Sequence, residues 1–207
     1  MQLKQLSERT GVSPASIKFY LREGLLPAGR SVHPTRAEYS EHHVSRLELI
    51  QALRRVVGLN IAQISSLLRM ADDGVPRLEL LAAVQRTVLG LDEAGTAQGD
   101  LSTPAGDAVV RSRNWPDLPS DARHSLNAHL ALMEKLGVPV SGDLLDAYSQ
   151  AVDAIAAADI SATTAPEDVN QLILMAAVGM HLHGQLVLKL LALAQASHAI
   201  RRYEEHA

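Results

Sequence analysis

The chain has 207 residues, of which 47% are hydrophobic and 20% charged, so it has enough apolar side chains for a packed core and lacks the composition of a disordered protein. Residues 1–70 hold ten Lys and Arg against five Asp and Glu, whereas the remainder holds nine against eighteen. The absence of cysteine excludes disulfides and thiolate metal sites, and the opening residues lack the pattern of a signal peptide. We therefore expect a soluble cytoplasmic protein with a basic first domain and an acidic second one.

The first predicted elements are two short helices joined by a tight turn. Gly11 suits the left-handed end of a helix, and Ser13 and Pro14 suit the N-cap and first position of the next one. Gly24 ends the second helix. This order is typical of a DNA-binding helix-turn-helix, although an ordinary amphipathic surface helix has the same pattern.

Residues 27–39 are rich in turn-forming residues and predict a loop or a short hairpin. Two helices follow, the first starting after Ser40 and closing at Gly58, the second capped by Asn60. Beyond Pro76, apolar residues at positions 78, 81, 84, 88 and 91 form a narrow seam close to a heptad repeat, which requires a partner helix. That partner is either another subunit or the C-terminal region.

The second half of the chain predicts an all-helical bundle, because it has no strand pattern. Its helices are expected near residues 105–113, 119–136, 141–160 and 166–203. The apolar stretch 172–194 is long enough to cross a membrane, but His181, His183, Gln185 and Lys189 interrupt it. A buried helix is therefore favoured over a membrane span.

The ordered motifs of residues 11–64 resemble those of the MerR family of transcriptional regulators. They read Gly-Val-Ser-Pro-Ala-Ser-Ile-Lys-Phe-Tyr at 11–20, Glu-Gly-Leu-Leu-Pro at 23–27, Tyr-Ser-Glu at 39–41, Arg-Leu-x-x-Ile at 46–50 and Gly-Leu-Asn-Ile-x-x-Ile at 58–64. The resemblance covers residues 1 to about 70. It implies a mainly α fold that begins with a winged helix-turn-helix containing a short wing.

The resemblance also implies a domain division and a mechanism. We expect a DNA-binding domain at residues 1–72, a dimerisation helix at 75–92, a linker at 93–104 and a helical effector or oligomerisation domain at 105–207. A homodimer of this family binds double-stranded DNA at a pseudo-palindromic promoter operator. It distorts that DNA so that RNA polymerase can read both promoter elements.

We expect ten residues to lie near DNA bases or phosphates. They are Ser13, Ser16, Lys18, Phe19, Tyr20, Arg22, Arg36, Tyr39, Arg54 and Arg55. Two alternatives stay open. Tyr20 also suits a position in the core, and Arg54 and Arg55 also suit a solvated surface without a contact to DNA. In the wing, Ala37 stands where the family has an arginine, and a residue one place earlier on a strand points to the opposite face. We expect Arg36 or Arg30 to supply the wing charge.

No motif identifies what the second region binds. His181, His183 and His198 share one segment, but helix positions i and i+2 point apart, so we expect no metal site and no cofactor. Met133, Met175 and Met180 suit either an aliphatic cavity or the core. The leading hypothesis is an unknown small-molecule effector. The alternatives are a protein partner, a dimer scaffold without a ligand, or an adaptor that does not bind DNA.

Catalysis has no support in the sequence. Neither a nucleophile-elbow motif nor a phosphate-binding loop occurs, and the nearby carboxylates Asp143 and Asp146 suit the start of a helix. We therefore expect that this protein is not an enzyme.

Overall fold

The computed structural model describes residues 1–33, 36–91, 102–161 and 166–204. Its helices are α1 (Leu3–Thr10), α2 (Pro14–Arg22), α3 (Glu41–Ala52), α4 (Ile61–Asp72), α5 (Arg77–Leu89), α6 (Pro104–Arg113), α7 (Asp121–Lys135), α8 (Gly142–Ser161) and α9 (Val169–Glu204). A π-helix (Leu53–Val57) continues α3, and strands β1 (Arg30–His33) and β2 (Arg36–Glu38) form an antiparallel hairpin. The predicted mainly α fold is confirmed.

The chain divides into two compact units. The larger unit contains residues 1–89 and 167–207, and the smaller unit contains residues 90–166. This division differs from the predicted domain at residues 105–207, because α9 packs against α3, the π-helix and α5. Ile173 and Ala177 of α9 are fully buried in the same core as the first helices. Most of the predicted linker lies outside the described residues.

Local signals in the sequence account for the start of the larger unit. Gly11 ends α1 with φ 66°, a conformation that costs glycine little. The Ser13 hydroxyl then accepts the backbone N–H of Ser16, and Pro14 occupies the first turn of α2. Ile17 and Tyr20 form the buried face of α2. The predicted helix, turn and helix are therefore present at residues 3–22.

The predicted seam of α5 is only partly the face that packs. Leu80, Ala83 and Val84 are buried, and α5 contacts α4 and α9. Leu78, the first seam residue, is 82% exposed. The C-terminal region of the same chain is thus one partner of α5, and a dimerisation role for residues 75–92 stays a prediction.

Burial of α9 is confined to its first turns. The 36-residue helix is about 54 Å long, and its buried residues all lie between Asn170 and Ala177. Apolar side chains from Leu182 to Ile200 are mostly half exposed or more. The expectation of a buried helix is therefore wrong for the second half of α9. By length and hydropathy α9 could also cross a membrane, a test that core helices of soluble proteins pass as well.

The smaller unit consists of α6, α7 and α8. The short α6 packs against both longer helices. Arg113 of α6 pairs with Asp146 of α8, and the indole N–H of Trp115, two residues after α6, donates to Asp153 of α8 at 2.6 Å. Arg123 of α7 pairs with Asp107 of α6. Of the large apolar side chains described between residues 102 and 161, only Val109, Val110 and Leu130 are less than 9% exposed. The unit has a thin core.

The start of α3 depends on a buried histidine. The backbone N–H of Ser40 donates to Nδ1 of His43 at 3.0 Å, which closes a capping box with His43 in the place usually held by Glu or Gln. The His43 ring is 8% exposed and packs edge-on against Tyr39 at 5.2 Å. Burial lowers the pKa of His43 from its ordinary 6.5, and the nearby charge of His42 lowers that pKa further.

This cap predicts a loss of stability in mild acid. Because the folded-state pKa of His43 lies below 6.5, its stabilising contribution is complete above pH 6.5 and declines as the pH falls towards the folded-state value. Protonation of Nδ1 also removes the acceptor for Ser40. We expect His43→Gln, which keeps the capping box, to reduce the drop in melting temperature between pH 7.5 and pH 5.5.

The matched control is His198→Gln, since His198 is an exposed histidine on α9 and is not among the groups that shift the pKa of His43. Thermal unfolding followed by circular dichroism measures both variants. An equal acid-induced drop in wild type and His43→Gln would contradict the assignment.

Candidate nucleic-acid interface

One face of α2 carries three of the predicted site residues. Ser13, Ser16 and Tyr20 follow the helical spacing i, i+3 and i+7, which places them in one row. The two serine hydroxyls lie 2.9 Å apart, and Ser13 is exposed while Ser16 is partly exposed. This row begins at the N-terminus of α2, where backbone N–H groups and the helix dipole favour an anion.

Tyr20 is a core residue, which is one of the two alternatives that the sequence left open; its contact with a phosphate stays a prediction. Its side chain is only 4% exposed and belongs to the core. Its hydroxyl accepts a hydrogen bond from Nη1 of Arg54 at 3.0 Å. The ring therefore holds α2 in place, while the hydroxyl orients a guanidinium at the surface.

Arg54 and Arg55 reach this face because the α3 helix changes its winding. Residues 53–57 form a π-helix, whose hydrogen bonds run from i to i+5, and Gly58 ends it with φ 87°. Both arginines are exposed. The sequence predicted an uninterrupted helix to Gly58, so the endpoint is confirmed and the altered winding was missed.

These side chains surround an open cleft of about 390 Å³. Its lining residues are Gly11, Val12, Ser13, Ser16, Tyr20, Gln51, Arg54 and Arg55. Two arginines, two serine hydroxyls and a helix N-terminus therefore face the same space, and no acidic side chain lines it. This is the chemistry that binds a phosphate group.

Gln51 is a residue of the cleft that the sequence analysis did not identify. Its side-chain amide donates to the carbonyl oxygen of Thr10 at 3.0 Å and so ties α3 to the end of α1. No motif marks this position. Only the packing of the two helices reveals it.

Lys18, Phe19 and Arg22 lie apart from the cleft on α2. Lys18 and Arg22 are exposed and four residues apart, so they share an outward face. Phe19 is partly buried, and the Arg22 guanidinium lies 5.4 Å from its ring centroid, while the Arg22 Nε lies 3.3 Å from Glu23. The predicted site is thus divided into a cleft and an outer face.

The wing predictions have mixed outcomes. The hairpin is present, with Arg30 opposite Glu38 and a 2.6 Å ion pair between them, so part of the Arg30 charge is neutralised within the wing. Tyr39 is 8% exposed and packs on His43, so its side chain is mostly in the core and its contact with DNA stays a prediction. Arg36 is paired in β2 through its backbone, but its side chain lies outside the described part of the structure.

Gly29 allows the chain to turn closely over β2 at the base of the wing. A Cβ atom placed on this residue would lie 2.8 Å from the carbonyl oxygen of Glu38 and 3.0 Å from Cε1 of Tyr39. Backbone atoms cannot rotate away as a long side chain can. The residue is therefore confined to glycine by packing and not by its φ angle.

The histidines and methionines singled out in the sequence are distributed over both units. Among the residues described, no group of three or more His, Asp or Glu side chains could hold a metal ion. His181 Nε2 lies 3.0 Å from the Gln185 amide on α9. Met133 lines an apolar cavity of the smaller unit, whereas Met175 and Met180 lie on α9 in the larger unit.

Comparisons with known proteins agree with this geometry. Residues 1–71 match the family described as MerR HTH family regulatory protein. A mercuric resistance operon regulatory protein of Serratia marcescens is 27% identical over 103 residues, which are 50% of this chain and 70% of that protein. A crystal structure of a Streptomyces coelicolor A3(2) protein described as a transcriptional regulator is similar with a TM-score of 0.65 and 30% identity, covering 98% of both chains.

The close approach at Gly29 predicts that Gly29→Ala destabilises the wing. The added methyl group must displace backbone atoms, so we expect a loss of about 1–3 kcal/mol in the free energy of unfolding, measured by urea denaturation. Gly184→Ala is the matched control, since a Cβ there meets nothing within 4 Å and an alanine within a helix is favoured by about 0.5–1 kcal/mol. Equal stabilities for the two variants would refute the packing argument.

Proposed function

Because the chain belongs to the MerR family through its N-terminal helix-turn-helix domain, we propose that it is a cytoplasmic regulator that binds a promoter operator sequence-specifically as a homodimer. The observation that carries the proposal is the convergence of Ser13, Ser16, Arg54 and Arg55 on one exposed cleft. The division of charge supports it, since residues 1–70 are basic within an acidic chain.

We assign the cleft to a phosphate of the DNA backbone. Arginine guanidinium groups and the N-terminus of α2 attract an anion, and serine hydroxyls can donate to its oxygens. The Tyr20 hydroxyl already accepts from Arg54, so the arginine is held in place before DNA binds. Phosphate contacts of this kind set the position of a recognition helix without reading sequence.

Base reading is assigned to the outer face of α2. Lys18 and Arg22 are exposed there, and long basic side chains can reach base edges in the major groove. Phe19 lies beneath the Arg22 guanidinium and restricts its movement. The wing, with Arg30 and Arg36, would contact the backbone beside the groove.

A homodimer supplies the second half-site reader that an operator with two-fold symmetry requires. The exposed apolar part of α9 supports self-association, because such a surface is unfavourable in water. The exposed apolar surface of α9 is longer than the apolar surface of α5 that remains exposed in the single chain. We therefore assign the larger share of the dimer contact to α9 and a smaller one to the predicted helix at residues 75–92.

The smaller unit is assigned to effector binding, with operator distortion and recruitment of RNA polymerase as the output. The alternative is a protein partner or a scaffold without a ligand. Native mass spectrometry of the purified protein separates these functions, since a retained small molecule supports the first and its absence across ligand screens supports the second.

Selection of bound fragments from genomic DNA tests the regulator function directly. We expect enrichment of a pseudo-palindromic sequence within promoters. Recovery of no enriched sequence would favour an adaptor that keeps the fold without binding DNA.

Removal of single basic residues should change the salt dependence of DNA binding. We expect Arg55→Ala and Lys18→Ala each to weaken binding, and Arg55→Ala to reduce the slope of log K against log salt by roughly one, as for a lost phosphate contact. If Lys18 contacts a phosphate, Lys18→Ala reduces the salt slope in the same way. If Lys18 contacts a base, Lys18→Ala lowers affinity for the operator and leaves affinity for unrelated DNA unchanged. The control is Arg201→Ala, near the far end of α9. An unchanged slope for Arg55→Ala would exclude its phosphate contact.

Sedimentation velocity tests the dimer and its surface. We expect a dimer at micromolar concentration and a shift towards monomer for Leu190→Glu, because a charge would replace an apolar side chain that is 56% exposed in the single chain. Leu78→Glu, at the exposed first seam position of α5, should have less effect. A larger effect of Leu78→Glu would make residues 75–92 the main dimerisation helix, and a monomeric wild-type chain would contradict the mechanism.

A further inference from the structure

A second cavity lies within the smaller unit, and none of its lining residues is assigned to DNA. It has a volume of about 360 Å³ and lies among α6, α7 and α8. Its lining residues are Val109, Leu126, His129, Leu130, Met133, Val140, Leu145, Tyr148, Ser149 and Val152. Ligand-binding pockets commonly range from about 300 to 1,000 Å³, so the cavity has a usable size.

The cavity exists because α7 and α8 both pack on the short α6 while making little contact with each other. Each of the two long helices presents residues at positions i, i+3, i+4 and i+7 to the space between them: 126, 129, 130 and 133 on α7, and 145, 148, 149 and 152 on α8. Val109 of α6 forms the base. Two matching apolar stripes therefore face one another without the side chains that would normally fill the space.

The lining chemistry restricts what can occupy the cavity. None of the lining residues is Asp, Glu, Lys or Arg, so an ion would lose its hydration without finding a counter-charge. The polar groups are the His129 imidazole, the Tyr148 hydroxyl and the Ser149 hydroxyl. Ser149 already donates to the carbonyl oxygen of Asp146 at 2.9 Å, whereas His129 and Tyr148 are exposed and can bind a hydroxyl or carbonyl group.

The size and lining of the cavity favour a small molecule over a partner helix. Val140, in the connection between α7 and α8, also lines the cavity, so three helices and a loop contribute to its wall. Such a concave site of this volume is typical of small-molecule pockets. An apolar cavity of about 150 Å³ can hold benzene, so 360 Å³ suffices for a molecule of about two rings.

We propose that this cavity binds a neutral, largely apolar small molecule that carries a hydroxyl or carbonyl group. The thin core of the smaller unit gives such a ligand a structural effect, because filling the cavity buries the stripes of both α7 and α8. The ligand is an effector only if the chain is a regulator as proposed above. Its binding does not require DNA.

Binding is tested with N-phenyl-1-naphthylamine, a neutral two-ring probe whose fluorescence rises in apolar surroundings. We expect saturable binding of one probe per chain. The single tryptophan, Trp115, lies in the smaller unit and should transfer excitation energy to the bound probe. Trp115→Phe should abolish this transfer while the directly excited probe still binds.

Neighbouring residues of α8 provide a matched pair of variants. Leu145 lines the cavity, whereas Leu144 is 43% exposed and does not line it. We expect Leu145→Trp to fill the cavity and weaken probe binding at least tenfold, and Leu144→Trp to bind as wild type does. Met133→Trp fills the same cavity from α7 and should also weaken binding, which provides a second test if one variant does not fold by circular dichroism.

Three results would overturn the proposal. The first is unchanged probe affinity in folded Leu145→Trp and Met133→Trp. The second is an equal loss in Leu144→Trp. The third is a loss caused by Leu190→Glu, which would place the probe on the exposed surface of α9. Because these measurements contain no DNA, loss of the pocket and loss of operator binding are observed separately.

Discussion

The hydrogen bond from Arg54 to the Tyr20 hydroxyl joins the two elements on which the candidate interface is built. Tyr20 lies on the buried face of α2, so its ring fixes this helix to the core, and its hydroxyl reaches the cleft. Arg54 belongs to the π-helix, and it lines the cleft together with Arg55 and the N-terminus of α2. The core and the proposed phosphate contact are thus coupled through one side chain. Such preorganisation reduces the entropy that DNA binding costs.

The two units differ in how completely they bury their apolar residues. The larger unit has a continuous core in which Leu6, Ile17, Leu47 and Ile64 are fully buried and to which α9 contributes Ile173. The smaller unit buries few apolar side chains in the part described, and it leaves a cavity between α7 and α8. The larger unit is thus the more completely packed of the two, and a ligand that fills a cavity stabilises the unit in which the cavity lies.

Several parts of the fold and site could be predicted because their causes are local in sequence. Ser13 and Pro14 begin α2, Gly58 ends the π-helix, and Asn60 caps α4, each through contacts within a few residues. The site residues on α2 were expected from the family resemblance, and their contacts with DNA stay predictions. Gln51 and the division of α2 into a cleft face and an outer face were not predictable, because both depend on how α3 packs across residues 10–20.

The sequence alone determined the family of the N-terminal domain, its helix order and its basic charge, since these depend on motifs, caps and composition. Only the tertiary structure decided which part of the C-terminal helix is buried. The apolar composition of α9 is nearly uniform, so periodicity could not show that Asn170 to Ala177 is buried while Leu182 to Ile200 is exposed. The same holds for the cavity of the smaller unit. The apolar residues between 126 and 133 would have the same sequence pattern if they packed against a helix as they have when they line a cavity. Burial is a property of the partner surface, and distant residues supply that surface.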